Sequence, residues 1–212
     1  MAYDLEEQEK LDAIKAWWAR YGTLVMLLVA AVALAWGGWW GAKAYQSHKA
    51  NQAMGYFEAL EDAARLGGAD SSVRIKAAAA TLREQYGSTG YATRGALVAA
   101  QALQAQKDVD GARQQLEWLA GQSKNPSMQA VARLRLAGLL LDQKQYDAAL
   151  GQLNNAPAAF AALFADRRGD ILAAQGKRDE ARAAWQSAID GLGTANPLTQ
   201  VVQLKLDALS GA

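Results

Sequence analysis

The sequence has no cysteine, a single histidine and only three prolines in 212 residues. Without cysteine, disulfides, thiolate metal sites, iron–sulfur clusters and thiol nucleophiles are all excluded. The lone His48 cannot build a multi-histidine metal centre. An excess of either charge is missing too: 22 Lys and Arg face 21 Asp and Glu, a net of +1. That balance excludes a strongly basic surface, and with it nucleic-acid binding by phosphate neutralisation. So few prolines among so many alanines argue against a β-rich or collagen-like chain.

Long hydrophobic runs are absent except in one place. Residues 21–42 read YGTLVMLLVAAVALAWGGWWGA and carry no charge. A bilayer core of about 30 Å needs about 20 apolar helical residues. Five of the seven tryptophans border this stretch: Trp17 and Trp18 with Tyr21 at one end, Trp36, Trp39 and Trp40 with Tyr45 at the other. Trp18 and Trp39 would lie about 31 Å apart along a helix, and indole favours the headgroup boundary. Arg20 and Lys43 close the span as snorkelling charges. These five tryptophans are the expected membrane anchor. The rival is a cleaved secretory signal, for which Ala42-Lys43-Ala44 offers a small-x-small site. A signal has a short basic leader and an apolar stretch of about 7–15 residues. This leader runs 20 residues with five acids against three bases, and its apolar stretch is longer.

Orientation follows weakly from charge. Lys10, Lys15 and Arg20 precede the span, while Lys43 and Lys49 follow it, which favours a cytoplasmic N-terminus. In the leader, Asp4 and Glu7 match a capping box, and Leu11, Ile14 and Trp18 share one side. This reads as an amphipathic lead-in or, alternatively, as a docking surface for a membrane partner. Gly37 and Gly41 form a G-x-x-x-G, a pattern that favours helix contact but arises easily by chance in a Gly- and Ala-rich span.

After residue 43 nothing alternates with period two over a useful length; apolar residues recur at three and four. Turn signals at Gly67-Gly68, 87–90, 121–126, 154–157, Gly176 and 191–197 separate about eight helices of 10–18 residues. Asn125-Pro126 and Asn196-Pro197 each read as an N-cap followed by proline at the first helical position. Residues 44–66 continue the membrane helix as a stem with Met54, Phe57, Leu60 and Ala64 on one face. The helix at 72–86 sets Ile75, Ala79, Leu82 and Tyr86 against it.

The later segments repeat. RRGDILAAQGKRDEARAAWQSAI (167–189) offers Gly169, Leu172, Gly176, Ala181, Trp185 and Ala188. RLRLAGLLLDQKQYDAALGQLNNA (133–156) fills matching slots with Leu136, Ala137, Leu140, Tyr146, Ala149, Leu153 and Ala156. A degenerate copy has Ala100, Leu103, Ala112, Leu116 and Leu119. The central alanines, 112, 149 and 181, are spaced by 37 and 32, bracketing the 34 residues of a tetratricopeptide repeat. Small residues let the two helices of a pair approach, larger ones pack into the next pair, and copies stack because one pair cannot bury its face alone. The final helix puts Leu198, Val202, Leu206 and Leu209 on one side, suits a terminal cap, and is expected to turn Lys205 and Asp207 away. The expected fold is all-α: a cytoplasmic tail (1–20), a transmembrane helix (21–42), a stem (43–70) and a tetratricopeptide-like helical-repeat solenoid (71–212).

No catalytic constellation emerges. His48 stands beside Ser47 and Lys49 next to the span, a poor setting for proton transfer. Ser71-Ser72, Ser88 and Thr89 read as helix caps. Asp166 and Asp170 flank Arg167 and Arg168, as a solvated charged face would. Neither glycine cluster has the strand and lysine of a phosphate loop. The reading is not an enzyme, with no cofactor and no metal. A stacked helical array offers instead an extended surface for a protein ligand. Its walls would come from the first helices of the pairs, around 91–105, 128–142 and 159–174, with Tyr91, Arg94, Arg133, Arg135, Arg167 and Arg168 as candidate contacts.

The WW dipeptide before a single span, the tract YGSTGYATRGALVAAQALQAQKDVDGARQQL, then RLRLAGLLLDQKQYDAAL and RRGDILAAQGKRDEARAAW resemble the YfgM-like family, the ancillary subunits of the SecYEG translocon. The resemblance covers nearly the whole chain. It implies a single-pass protein of the bacterial inner membrane with a cytoplasmic N-terminus and a periplasmic C-terminal domain. Implied partners are the SecYEG translocon, a membrane-anchored prolyl-isomerase-like periplasmic chaperone and newly exported polypeptides. No family catalytic residues exist to carry over. The alternative is a structural envelope scaffold that organises a membrane complex without binding clients.

Overall fold

The computed structural model describes residues 2–68, 70–123 and 125–210, with side chains from Glu9 to Leu209 apart from residues 69 and 124. Among these residues there is no strand. Nine α-helices follow one another: α1 (Ala2–Leu66), α2 (Ser71–Tyr86), α3 (Gly90–Ala105), α4 (Val109–Gln122), α5 (Pro126–Asp142), α6 (Tyr146–Gln152), α7 (Ala161–Ala174), α8 (Arg178–Leu192) and α9 (Pro197–Ser210), with one 3₁₀ turn at Ala158–Phe160. The all-α, repeat-like fold expected from the sequence is the observed one. Two units divide the chain, Met1–Lys49 and Ala50–Ala212.

The first unit is helical throughout its described length. It contains a stretch long and apolar enough to cross a membrane, with mean hydropathy 1.8. The core helix of a soluble protein would be covered, yet Leu34 is 77% exposed and Trp36 67%. The side chains of Asp4 and Glu7, the expected capping box, lie outside the described residues.

In the second unit the helices start and stop for identifiable reasons. Thr89 caps α3 by accepting from the Ala92 N–H, and Asp108 caps α4 by accepting from that of Gly111. Asn125 accepts from Ser127 and Met128 ahead of α5, with Pro126 at its first turn, as the sequence suggested. Asn196 likewise accepts from Leu198 at the start of α9. Ser72 is no cap: it lies within α2, and its hydroxyl donates to Asp108.

The first helix of each pair ends in the same way. Lys107, Lys144 and Gly176 all adopt left-handed φ angles of 63°, 58° and 79°. Each lies five residues before a central alanine. At each, the next residue's N–H reaches back five positions, Asp108 to Leu103, Gln145 to Leu140 and Lys177 to Leu172. The left-handed residue itself donates to the carbonyl three positions earlier. This pair of bonds is the Schellman stop. The repeat is therefore structural as well as compositional. Its central alanines, Ala112, Ala149 and Ala181, are completely buried.

Leu60, Ile75, Leu82, Leu103, Leu116, Leu136, Phe164 and Ile171 belong to the main core. The helix at 71–86 buries Ile75, Ala79, Leu82 and Tyr86, as expected. Along residues 50–66 the inward face is Ala53, Phe57, Leu60 and Ala63–Ala64, whereas Met54, expected there, is exposed. A second cluster comprises Leu172, Ala181, Trp185, Ala188 and Val202. Gly169 sits under Trp185: a Cβ placed on Gly169 would lie 2.4 Å from the indole. That contact is the close helix–helix approach the repeat pattern demanded.

One helix departs from the expected 10–18 residues. α6 has only seven. Its end is held from outside, because Arg133 of α5 donates to the carbonyls of Gln152 and Asn154 while Arg168 of α7 donates to that of Leu153. Guanidinium groups thus satisfy carbonyls that another helical turn would have used.

Candidate functional site

The six residues expected to contact protein fall into two sets. Arg133 and Arg168 are engaged at the end of α6, and Arg133 also stacks 5.1 Å from the Phe164 ring centre. Tyr91 is half-buried, its ring 5.6 Å from that of Phe57. Arg94 is exposed and lies 5.9 Å from the Tyr91 ring centre. Arg135 is exposed, in the slot of the α5 repeat that Arg167 holds in the α7 repeat. Arg167 is half-buried, 3.4 Å from Asp170, and reaches the helix backbone at Gly138. Arg94 on α3 and Arg135 on α5 are thus exposed, Arg167 on α7 is partly engaged, and Arg133 and Arg168 hold the scaffold.

Two grooves flank these helices. One, about 640 Å³, opens where α6 is short; Leu150, Leu153, Phe164, Leu172 and Ala184 line it, and Lys177 and Glu180 stand at its edge. The other, about 650 Å³, lies between residues 61–65 and α3, with Ala64, Val98, Ala102 and Ala105 as its floor and Glu61, Asp62 and Arg65 beside it.

Sequence reasoning missed the densest charged cluster. Lys205 of α9, expected to face away, is half-buried and stands 2.7 Å from both Asp166 and Asp170 of α7. The Trp185 indole N–H donates to Asp170 at 3.3 Å. Burial alone would push the Lys205 ammonium down, but hydrogen bonds to Asp166 and Asp170 outweigh it and raise its pKa above the ordinary lysine value. The signal was present: Leu198, Val201, Val202, Lys205, Leu206 and Leu209 follow the three–four rhythm, which places Lys205 inside the apolar arc. A second cross-helix contact joins Asp108 to Lys76 at 2.8 Å and to Ser72 at 3.1 Å. The hydrogen bond from Lys76, then that from the Gly111 N–H, hold the Asp108 carboxyl below the usual carboxylate range despite partial burial.

At the apolar helix, cations pair with rings at both borders. Arg20 lies 5.8 Å from the Tyr21 ring centre, Lys43 5.2 Å from that of Trp39 and Lys49 5.6 Å from that of Tyr45. Trp17, Trp18, Trp36, Trp39 and Trp40 are all exposed. Such rings and cations suit the two headgroup layers of a bilayer. Among the described residues no group of three or more Asp, Glu or His could hold a metal ion.

Known proteins are similar to this chain over nearly its whole length. Residues 15–211 match the family described as a tetratricopeptide repeat-like domain. Over 213 residues the chain is 32% identical to a protein of Neisseria gonorrhoeae named ancillary SecYEG translocon subunit, covering 99% of this chain and all of that one. The Escherichia coli protein of that name is 28% identical, covering 96% of this chain and 97% of its own length. The Haemophilus influenzae one is 27% identical over 89% of this chain and 91% of its own.

Proposed function

This chain belongs to the tetratricopeptide repeat-like family that includes the ancillary SecYEG translocon subunits, and on that premise we propose a membrane-anchored helical-repeat module that works at the translocon. The observation that carries the reading is the combination of an exposed, aromatic-bordered apolar helix with stacked helix pairs, on which Arg94 and Arg135 are exposed and would serve a protein ligand. The N-terminal tail is cytoplasmic and the repeat domain periplasmic, in keeping with the three cations before the span and two after it. There the domain engages newly exported polypeptides and a membrane-anchored prolyl-isomerase-like chaperone. Tethering confines both binder and ligand to the membrane surface, so weak contacts suffice through high effective concentration.

Affinity isolation of the full-length protein in mild detergent should recover translocon subunits, and reporters fused to each terminus should show exported activity only at the C-terminal end. Recovery of neither translocon nor chaperone, from cells where the protein is membrane-integrated, overturns the reading. Replacing Arg94 and Arg135 together by Ser should reduce recovery of polypeptide clients at least about tenfold, as expected when interface arginines are lost. Undiminished client capture would move the contact surface elsewhere.

A further inference from the structure

The apolar interior of the repeat unit is divided. Its larger cluster reaches Phe164 and Ile171 of α7, and a separate cluster holds Leu172, Ala181, Trp185, Ala188 and Val202. Val202 is the only described residue of α9 that is fully covered there, supported by half-buried Leu206 and Leu209. Polar contacts do much of the remaining holding. Lys205 meets Asp166 and Asp170 and lies 6.0 Å from the Trp185 ring centre, and Arg178 donates to the Leu209 carbonyl at 2.6 Å. The connection from α8 turns at Gly193, whose φ is 75°. Elements held by few buried apolar side chains are the first to open.

Two features set α9 apart from a permanent cap. A terminal repeat is expected to present a polar outer face. α9 instead leaves Leu198, Val201 and Leu204 exposed. The surface beneath it is also selective. Asp166 and Asp170 converge on a single ammonium, and both carboxylates are about three-quarters buried or more. Arg167 is the other cation near Asp170, at a longer 3.4 Å. An apolar helix with no cation would leave the two carboxylates crowded and underpaired. The recognised pattern can be read from the present occupant: Val202, Lys205, Leu206 and Leu209, an aliphatic row with a lysine at its centre.

We propose that α9 is a displaceable occupant of a helix-binding face on α7 and α8, and that an amphipathic partner helix with an aliphatic row and a central lysine or arginine takes its place. The exchange follows the helix-in-groove mode, in which one apolar stripe replaces another. It does not depend on which membrane complex the protein serves.

Hydrogen exchange on the full-length protein in detergent micelles tests the idea directly. Residues 197–210 should exchange at least about tenfold faster than α7 and α8, and Lys205→Met should speed them about tenfold more without changing α2–α5. A synthetic peptide with the sequence of residues 197–210 should then slow exchange in α8 of full-length Val202→Asp. The peptide carrying Lys205→Glu should bind that host at least about tenfold more weakly, because its charge opposes Asp166 and Asp170. Should Val202→Asp loosen α7 and α8 as well, full-length Lys205→Glu replaces it as host, releasing α9 by charge alone. Exchange of α9 at the same rate as α7 and α8 overturns the proposal. So does a peptide that protects neither host, or one that protects equally with and without its lysine.

Discussion

Trp185 lies against Gly169 so tightly that one added methyl would collide with it. Overpacking of this kind costs about 1–3 kcal/mol. Gly169→Ala should therefore lower unfolding stability by that amount in denaturant titrations followed by circular dichroism, and Trp185→Leu in the same chain should recover part of the loss. Gly151→Ala is the control: space is open around that helical position, so it should stabilise by about 0.5–1 kcal/mol. The sequence pattern led directly to Gly169, because a small residue opposite a large one is what close helix pairing needs. It did not reveal that Lys107 and Lys144 share the left-handed slot of Gly176, since only glycine advertises such a backbone. Gly176→Ala should cost about 1–2 kcal/mol through steric strain. Lys144→Gly should gain about 0.5 kcal/mol, the difference between strain relieved and backbone freedom lost on folding. Thermal unfolding of the two variants will check both signs.

Helix starts were legible at Asn125-Pro126 and Asn196-Pro197, because those residues act on the nearest backbone groups alone, whereas Ser71-Ser72 read as a cap and caps nothing. α6 was overestimated for the opposite reason. Its length depends on Arg133 and Arg168, which arrive from two other helices and leave no mark in the local pattern. The attachment of α4 to α2 was equally hidden, since Asp108 is both the cap of α4 and the partner of Lys76. Its lowered pKa fixes the sign of a pH effect. The stabilisation is fully present above the unfolded value near 3.8 and disappears as pH falls through the lower folded value. Asp108→Asn should cost about 0.5–1 kcal/mol at neutral pH, mostly through the lost ion pair with Lys76, because Asn caps a helix about as well as Asp. Denaturation midpoints of the two proteins should converge as the solution is acidified below pH 3.8. A gap that persisted unchanged would show that the carboxylate charge is not what matters.

For the molecule as a whole, composition disclosed most. An uncharged stretch bordered by tryptophans is visible in the sequence and remains exposed in the fold, and the spacing of Ala112, Ala149 and Ala181 marks out the pairs behind it. Which arginines hold the scaffold was not legible, because an arginine left exposed and one that binds a carbonyl look alike until the chain is folded. The matching stops of successive pairs also determine where the folded chain can be cut. Lys107, Lys144 and Lys177 are all exposed, at or beside the left-handed residue, while most other basic residues lie within helices. Proteases prefer exposed turns to helical backbone. Brief trypsin treatment of the native protein should therefore nick first after these three lysines, releasing a ladder whose rungs differ by one repeat, and mass spectrometry of the fragments would count the repeats without unfolding them.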